Sequence, residues 1–364
     1  MQVMQDKEFI ERFNMDKQRQ LLAEAHDSKL VRIEDGLEKA IENLNANEDD
    51  LMDMPWQSTK GKFAFREGHV TLLAGMNGHM KSTLTCQLLL HVAERFPIGV
   101  MSLEMELDTQ LEIFAHQAFA RDKITAKELT AAAKHFTASD SWFYKHYGTV
   151  KPETVYGALW AFAAKGCKFL VLDNLQKCGV TSDHDVERDF TANIIAIAKA
   201  TEMHILLVHH VRKPSGDARK GYRPSKYDVR GSGSLTDQPD NVLMIWHNKD
   251  RAEILLDQEE GKAIDEDDRR VLDFEHDIEV LVEKNRHLRF EGTMKFYVGN
   301  GRNFKDDMYG DDWKPTLRKE LRPQCKDEAE AVNQAPEDAG VNLNDFSWGG
   351  KTTNGSDEFE LEEF

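Results

Sequence analysis

The segment from Gly75 to Thr83, Gly-Met-Asn-Gly-His-Met-Lys-Ser-Thr, has the residue types and spacing of a phosphate-binding loop. An apolar run precedes it, and a run with helical periodicity follows. In such a loop, backbone N–H groups and the helix N-terminus hold phosphate oxygens, the lysine reaches the terminal phosphates, and the adjacent hydroxyl binds Mg²⁺. The residues that we expect to contact a nucleotide are Gly75, Asn77, Gly78, His79, Met80, Lys81, Ser82 and Thr83.

Met80 stands where a loop of this kind usually has glycine. A side chain is compatible with the loop if the backbone at Met80 stays right-handed. The lysine, serine and threonine that follow match the pattern. The methionine therefore weakens the motif but leaves its chemical groups in place.

Two carboxylates come at the ends of predicted strands. Asp173 closes the apolar run Phe169–Asp173, and Glu104 follows the run Ile98–Leu103. Parallel α/β sheets bind their ligands at this edge, so we expect Asp173 and Ser82 to form a metal site and Glu104 to polarise an attacking water. Each acid alone has an ordinary alternative, as a strand-end or helix-capping residue. Together with the loop they indicate an ATP-hydrolysing core.

The middle of the chain alternates apolar runs with helical stretches, which predicts an α/β fold with a mostly parallel twisted sheet flanked by helices. The predicted strands are His69–Ala74, Ile98–Leu103, Phe169–Asp173, Ile205–His209, Val242–Trp246 and Val280–Lys284, and the predicted helices are Lys81–Arg95, Asp108–Arg121, Pro152–Lys165 and Asp185–Thr201. We expect three segments: a helical N-terminal segment (1–60), the α/β domain (61–305) and an acidic, disordered tail (306–364).

A cluster of basic residues follows the predicted strand Ile205–His209. Positive charge in a Gly/Pro-rich loop suits contact with nucleic-acid phosphates, although such a run is also common on a solvated face. The candidate nucleic-acid contacts are Arg212, Lys213, Arg219, Lys220, Arg223 and, in the small-residue block that follows, Arg230.

The chain has 364 residues and a net charge of −18, which excludes a uniformly basic coat for nucleic acid. Eleven acidic residues against two basic residues fall between Pro323 and Phe364. No stretch approaches the roughly 18 apolar residues of a membrane helix. The start of the chain has no signal pattern, and the four cysteines form no CxxC pair. We therefore expect a protein of the reducing cytoplasm with no membrane partner.

In chain order, these motifs resemble the DnaB-like ring helicases of superfamily 4, nearest the branch of phage replicative helicases and mitochondrial Twinkle. The segments that carry the resemblance are Gly75–Thr83, Met101–Met105, Leu172–Asn174, His209–Pro214, Asp228–Ser234 and Glu283–Arg286.

The resemblance implies a RecA-like fold, a homo-hexameric ring, and sites for ATP and Mg²⁺ between subunits. It makes Lys81 a catalytic phosphate ligand, Glu104 the catalytic base and His210 the sensor of the γ-phosphate. Lys284 and Arg286 would act on the ATP of the next subunit, Arg286 as an arginine finger. The basic loop would line the central channel and hold single-stranded DNA.

The resemblance also implies partners. The acidic segment that closes on Phe364 is similar to tails that dock on a DNA polymerase or another replisome protein. The apolar stripe from Leu30 to Leu44 looks like the linker helix that joins ring subunits, and packing on the chain's own core is the alternative. About 60 residues precede the core, too few for a primase-like domain, so we expect a separate primase.

The predicted function is that of a phage-encoded replicative DNA helicase that moves 5′→3′ on single-stranded DNA at the fork. Two alternatives stay open. One is a recombinase-like ATPase that forms filaments on single-stranded DNA. The other is a ring that binds nucleotide and single strands but hydrolyses little ATP because of Met80.

Overall fold

The computed structural model describes residues 52–146, 148–180, 183–212 and 221–316, together with Ile33, Leu37 and Ile41. All of these residues belong to one compact unit. The predicted acidic tail from residue 317 onward lies outside the described residues, as does most of the predicted N-terminal helix. Of the apolar stripe, Ile33, Leu37 and Ile41 are described, and all three are exposed.

A nine-stranded sheet forms the centre of the fold. In spatial order its strands are β11 (Phe304–Lys305), β10 (Gly292–Val298), β9 (Ile278–Asn285), β8 (Asn241–His247), β3 (Val70–Gly75), β7 (His204–His210), β6 (Phe169–Asp173), β4 (Ile98–Ser102) and β5 (Trp142–Phe143). A separate pair is formed by β1 (Met52–Asp53) and β2 (Ala64–Phe65).

The strands from β8 to β5 are parallel, and β9, β10 and β11 extend the sheet with antiparallel pairing. Because β3 lies in the middle, its carboxyl end opens between two parallel neighbours, β7 and β8. This is the place where parallel α/β sheets bind their ligands.

Helices cover both faces of the sheet. They are α1 (Lys81–Val92), α2 (Leu107–Phe119), α3 (Ala126–Ala138), α4 (Pro152–Ala164), α5 (His184–Thr201), the single turn α6 (Ser234–Asp237), α7 (Lys249–Glu259) and α8 (Glu266–Phe274). Successive strand residues point to opposite faces, so Leu73 packs in the core beneath α1 to α3, whereas Leu72 and Ala74 pack in the core beneath α4 and α5. Strands buried on both faces explain the nearly continuous apolar runs in the sequence.

The α/β prediction is confirmed, and each predicted strand and helix overlaps an observed one. Among the described residues, sequence reasoning missed four helices and five strands: α3, α6, α7 and α8, and β1, β2, β5, β10 and β11. Thr125 starts α3 with a capping box that involves Glu128, a local signal present in the sequence. Arg251 is the buried residue of α7, and α8 has no fully buried residue, so neither helix adds a buried apolar face to the core.

The fold extends beyond residues 61–305 on both sides. Trp56 Nε1 donates to the Phe304 carbonyl (2.5 Å), and Gln87 bonds both the carbonyl and the N–H of Phe304. Asp53 contacts His91 and Arg95 at the end of α1, and the Thr316 N–H donates to Glu94. These contacts cross both predicted boundaries.

No helix in the described part of the chain combines the length and the apolar character that crossing a bilayer requires.

Candidate nucleotide site

The predicted phosphate loop connects β3 to α1 at the centre of the sheet. Gly78 and Met80 both have left-handed backbones, with φ of 74° and 60°. The condition stated for Met80, a right-handed backbone, is therefore not met. A left-handed conformation costs a residue with a Cβ on the order of 1 kcal/mol, and the Met80 side chain packs against the core beneath α1.

Lys81 is buried at the start of α1, and its ammonium group donates to the carbonyls of Gly75 (3.0 Å) and Met76 (2.9 Å). Burial lowers its pKa to about 8. The lysine thus lies inside the loop, where two backbone carbonyls accept from its ammonium group and the carboxylates of Asp173 and Glu104 favour its charge. A phosphate bound in the loop would add negative charge beside this ammonium group.

Ser82 donates to Asp173 Oδ2 at 3.2 Å, which joins the loop to the end of β6. Burial, and then the nearby Glu104, raise the pKa of Asp173 to about 6. A buried carboxylate beside a second carboxylate and a hydroxyl is a set of hard oxygen donors, and this set fits Mg²⁺. Ser82 and Asp173 are the residues that would hold the ion, and Asp173 could do so through water.

Glu104 and His210 face each other across this site, with His210 Nε2 4.0 Å from Glu104 Oε2. The buried Asn174, which follows Asp173, donates its side-chain amide to His210 Nε2 at 2.7 Å. Burial, and then Lys81, lower the pKa of His210. A neutral imidazole that accepts from Asn174 is therefore held next to the exposed Glu104 carboxylate.

One cleft of about 840 Å³ joins these groups. The loop and the carboxylates form one end, and α7 and the end of β10 form the other. Its lining includes Asn77, Gly78, Met80, Lys81, Ser82, Thr83, Glu104, Asp173 and His210 at the first end, and Leu255, Leu256, Val298 and Arg302 at the second. Glu259 and Asp277 also line the second end, which is therefore part aliphatic and part charged. The cleft suits a phosphorylated ligand whose apolar ring contacts Leu255, Leu256 and Val298.

Sequence reasoning did not find several of these residues. His247, at the end of β8, donates its N–H to His79 Nδ1 (3.0 Å) and ties the loop to the strand that leads into α7. Burial, and then Lys249 and His247, lower the pKa of His79 to about 4. Only β8 running parallel beside β3 brings these groups together, and no spacing in the sequence indicates it.

The basic loop starts directly behind His210. A bridge between Val211 and Val229 closes its base, and the Arg230 N–H donates to the His210 carbonyl (3.1 Å). Arg212 and Arg230 are exposed at this base. Lys213, Arg219 and Lys220 lie outside the described residues.

Arg223 makes contacts that the DNA-binding prediction does not use. Its guanidinium bonds Glu279 (2.8 Å) and lies over the Trp246 ring, 4.2 Å from the centroid. This side chain therefore fixes the returning part of the loop against β8 and β9.

Lys284 and Arg286 lie far from the cleft of their own chain. They end β9, where Asn285 pairs with Asn241 and Asn241 pairs with Thr71, at the amino edge of the sheet. Arg286 contacts Asp240 at 3.2 Å, and Lys284 donates to the Asp237 carbonyl at 2.6 Å. The structure thus separates this pair from the other predicted catalytic residues.

Comparison with known proteins gives the same picture. Residues 61–216 match the AAA domain family. One solved ATPase domain has a TM-score of 0.58 and 14% identity, over 76% of this chain and 99% of that one. A DnaB-like replicative helicase, described with its interactions with primase, has a TM-score of 0.54 and 15% identity, over 82% of this chain and 74% of its own. No curated protein gives a significant match.

The AAA match covers the loop, both carboxylates and His210, and the structural matches cover most of the described fold. These matches, at 14% and 15% identity, confirm the RecA-like α/β fold that the resemblance implied: this chain shares its fold with a solved ATPase domain and with a DnaB-like replicative helicase.

Proposed function

We propose that the protein is a replicative DNA helicase, a hexameric ring that hydrolyses ATP, moves 5′→3′ along single-stranded DNA and opens forked duplex. The observation that carries this proposal is the meeting of Lys81, Ser82, Asp173, Glu104 and His210 around one cleft. The fold shared with ATPase domains of replicative helicases supports it.

In the proposed reaction, Lys81 leaves the carbonyls of Gly75 and Met76 and binds the terminal phosphates of ATP. Glu104, exposed at the rim, accepts a hydrogen bond from the attacking water and orients it. Ser82 and Asp173 would hold Mg²⁺, which would supply positive charge against the phosphate oxygens. Leu255, Leu256 and Val298 at the second end of the cleft would contact the adenine ring.

His210 is the proposed link between hydrolysis and DNA. Its side chain lies beside Glu104, and its carbonyl accepts from the Arg230 N–H at the base of the basic loop. A shift of His210 on loss of the γ-phosphate would therefore move the loop that carries Arg212, Lys213, Arg219 and Lys220. Arg230 is the proposed DNA contact that is bonded directly to the His210 backbone.

Assembly and partners follow from the same proposal. The exposed apolar side chains of Ile33, Leu37 and Ile41 are one turn apart and suit a helix that docks on a neighbouring subunit. Lys284 and Arg286 would act on the nucleotide of that neighbour. A separate primase, and a polymerase or other replisome protein bound through the tail at Phe364, complete the proposal.

We place the protein in the cytoplasm, that of a bacterial host if the gene is phage-borne. The described cysteines, Cys86, Cys167 and Cys178, are free and buried, which fits a reducing compartment.

The left-handed backbone at Met80 favours a second candidate, a ring that binds nucleotide and DNA but turns over little ATP. The loop amides next to Met80 are the groups that would contact the phosphates. If the side chain misplaces them, binding persists while transition-state stabilisation is lost.

Steady-state ATP hydrolysis with Mg²⁺, with and without single-stranded DNA, tests the proposal. We expect wild type to be stimulated about tenfold by DNA and Lys81→Ala to lose on the order of 100-fold in kcat, because the lysine contacts the transferred phosphoryl group. Lys134→Ala, an exposed lysine on α3, is the matched control and should behave as wild type.

Turnover of wild type no higher than that of Lys81→Ala would contradict the motor and favour the second candidate. Electron microscopy of the same samples separates rings from filaments.

A further inference from the structure

Asp240, immediately before β8, is the buried centre of a small network at the amino edge of the sheet. Its Oδ2 accepts from the Val70 N–H (3.0 Å), and its own N–H donates to the Val70 carbonyl (2.9 Å). Its Oδ1 accepts from Arg286 Nη1 (3.2 Å), and its carbonyl accepts from the Arg286 N–H (3.3 Å). The carboxylate is thus fixed to the first residue of β3 on one side and to Arg286 on the other.

Asp240 and Arg286 differ sharply in exposure. The Asp240 side chain is 7% exposed and that of Arg286 is 48% exposed. A guanidinium has five N–H donors, and the contact with Asp240 uses one of its nitrogens. Among the described residues, no second side chain bonds this guanidinium. The carboxylate therefore fixes the direction of the arginine and leaves most of its donors turned outward.

The outward donors cannot reach the nucleotide cleft of the same chain. Asp240 bonds the first residue of β3, and the phosphate loop follows the last. Six residues of strand separate them, which is about 17 Å along the sheet. A nucleotide that contacts Arg286 would therefore be one bound by another copy of the chain.

The positive charges around Arg286 favour an anionic ligand. Arg66, Lys199, Lys226 and Arg286 act electrostatically on groups of this edge, among them Lys284. The acids there are Asp237 and Asp240, which act on Lys284, and Glu283, which accepts from the Lys226 N–H. Such a cationic edge, on a chain with a net charge of −18, complements a cleft that holds a nucleotide triphosphate in a second copy.

We propose that Asp240 is a positioning residue that presents the guanidinium of Arg286 to the nucleotide bound by the adjacent copy of this chain. This inference rests on the proposed function, in which Arg286 acts in trans. A fixed guanidinium needs no reorganisation when it meets the phosphates, so Asp240 would raise kcat and leave KM nearly unchanged.

Mixed rings test this, because they separate the copy that binds ATP from the copy that supplies Arg286. Acceptor subunits carry Arg286→Ala and keep their own cleft; donor subunits carry Lys81→Ala and keep Arg286. Each variant alone should be nearly inactive. In an equimolar mixture that assembles at random, about a quarter of the interfaces pair an acceptor with a following donor. These interfaces should recover DNA-independent hydrolysis.

Asp240→Asn is then placed in one subunit type at a time. Asparagine keeps an oxygen for the Val70 N–H but removes the charge that holds Arg286. We expect about a tenfold loss of kcat when it is added to the donor, and no loss when it is added to the acceptor. Asp267→Asn in the donor is the matched control, because Asp267 is an exposed acid of α8 whose ion-pair partner is Arg270, and it contacts neither Lys284 nor Arg286.

An equal loss in both placements would show a purely structural role and overturn the proposal, as would an unchanged donor. If acceptor and donor variants fail to complement each other at all, the trans role of Arg286, and with it that part of the proposed function, is wrong. Thermal unfolding checks that Asp240→Asn folds. If it does not fold, Asp240→Glu keeps the charge and shifts the carboxylate, and we expect a donor-specific loss of about threefold.

Discussion

At the scale of single residues, the phosphate loop contains a local conflict. Met80 adopts φ 60° and ψ 26°, a conformation that glycine adopts freely and methionine rarely does. The side chain packs against the core beneath α1, and this contact offsets part of the backbone strain. Met80 thus strains the backbone of the loop, and its side chain adds apolar contact at the end of the cleft.

This conflict predicts an inverted ranking of two small residues at position 80. Met80→Ala and Met80→Gly both remove the side-chain contact, and they differ only at the backbone. At an ordinary helix start alanine is the more stable; here we expect glycine to be the more stable by about 1 kcal/mol, because it alone has no Cβ penalty. Urea unfolding of the two variants measures the difference. Equal stability, or a more stable alanine variant, would contradict the left-handed conformation.

At the scale of elements, the sequence was informative where burial is strong. Each strand that is buried on both faces, such as Phe169–Asp173, shows an apolar run that predicts it. The loop and the carboxylates could be placed together because parallel strands end at a common edge. Three features had no such signal: the antiparallel position of β9, the pairing of Arg286 with Asp240, and the cover that α7 gives the cleft. They depend on contacts between distant parts of the chain.

Leu256, on α7, is 54% exposed, yet it lines the cleft beside Leu255 and Val298. Leu256→Asp places a negative charge beside the bound nucleotide and removes apolar contact, so we expect about a tenfold weaker affinity for ATP, or roughly 1.4 kcal/mol. Stability should change by less than about 0.5 kcal/mol, because the site is exposed.

Titration calorimetry with a slowly hydrolysed ATP analogue measures this affinity. Gln258→Asp, an exposed residue of the same helix that does not line the cleft, is the control for added charge. Equal affinities for the two variants would remove α7 from the nucleotide site.

At the scale of the whole molecule, several histidines are buried in neutral form. Burial lowers the pKa of His204 to about 3 and those of His79 and His209 to about 4. In the unfolded chain each has a pKa near 6.5. At these three histidines the folded chain therefore binds fewer protons than the unfolded chain between pH 6.5 and about 4, so their contribution to stability falls as the pH falls through this window.

The contribution of His204 to this pH dependence can be measured separately. Its ring stacks on Phe169, and its Nδ1 donates to the Arg66 carbonyl (2.8 Å). His204→Asn keeps an N–H donor but cannot take up the proton, so the slope of unfolding free energy against pH should decrease by about 1.4 kcal/mol per pH unit below pH 6. Urea unfolding from pH 7.5 to 5 measures both slopes. Parallel curves would show that His204 titrates normally in the fold.

Both ends of the described fold reach the last turns of α1, where Asp53 meets His91 and Arg95 and the Thr316 N–H meets Glu94. A domain whose ends lie beside one another can be spliced whole into a surface loop of a host protein, or closed on itself by a short linker and opened elsewhere, without stretching its sheet. In this sense the fold can be moved as one unit. A protein fused to one end would lie next to a protein fused to the other end.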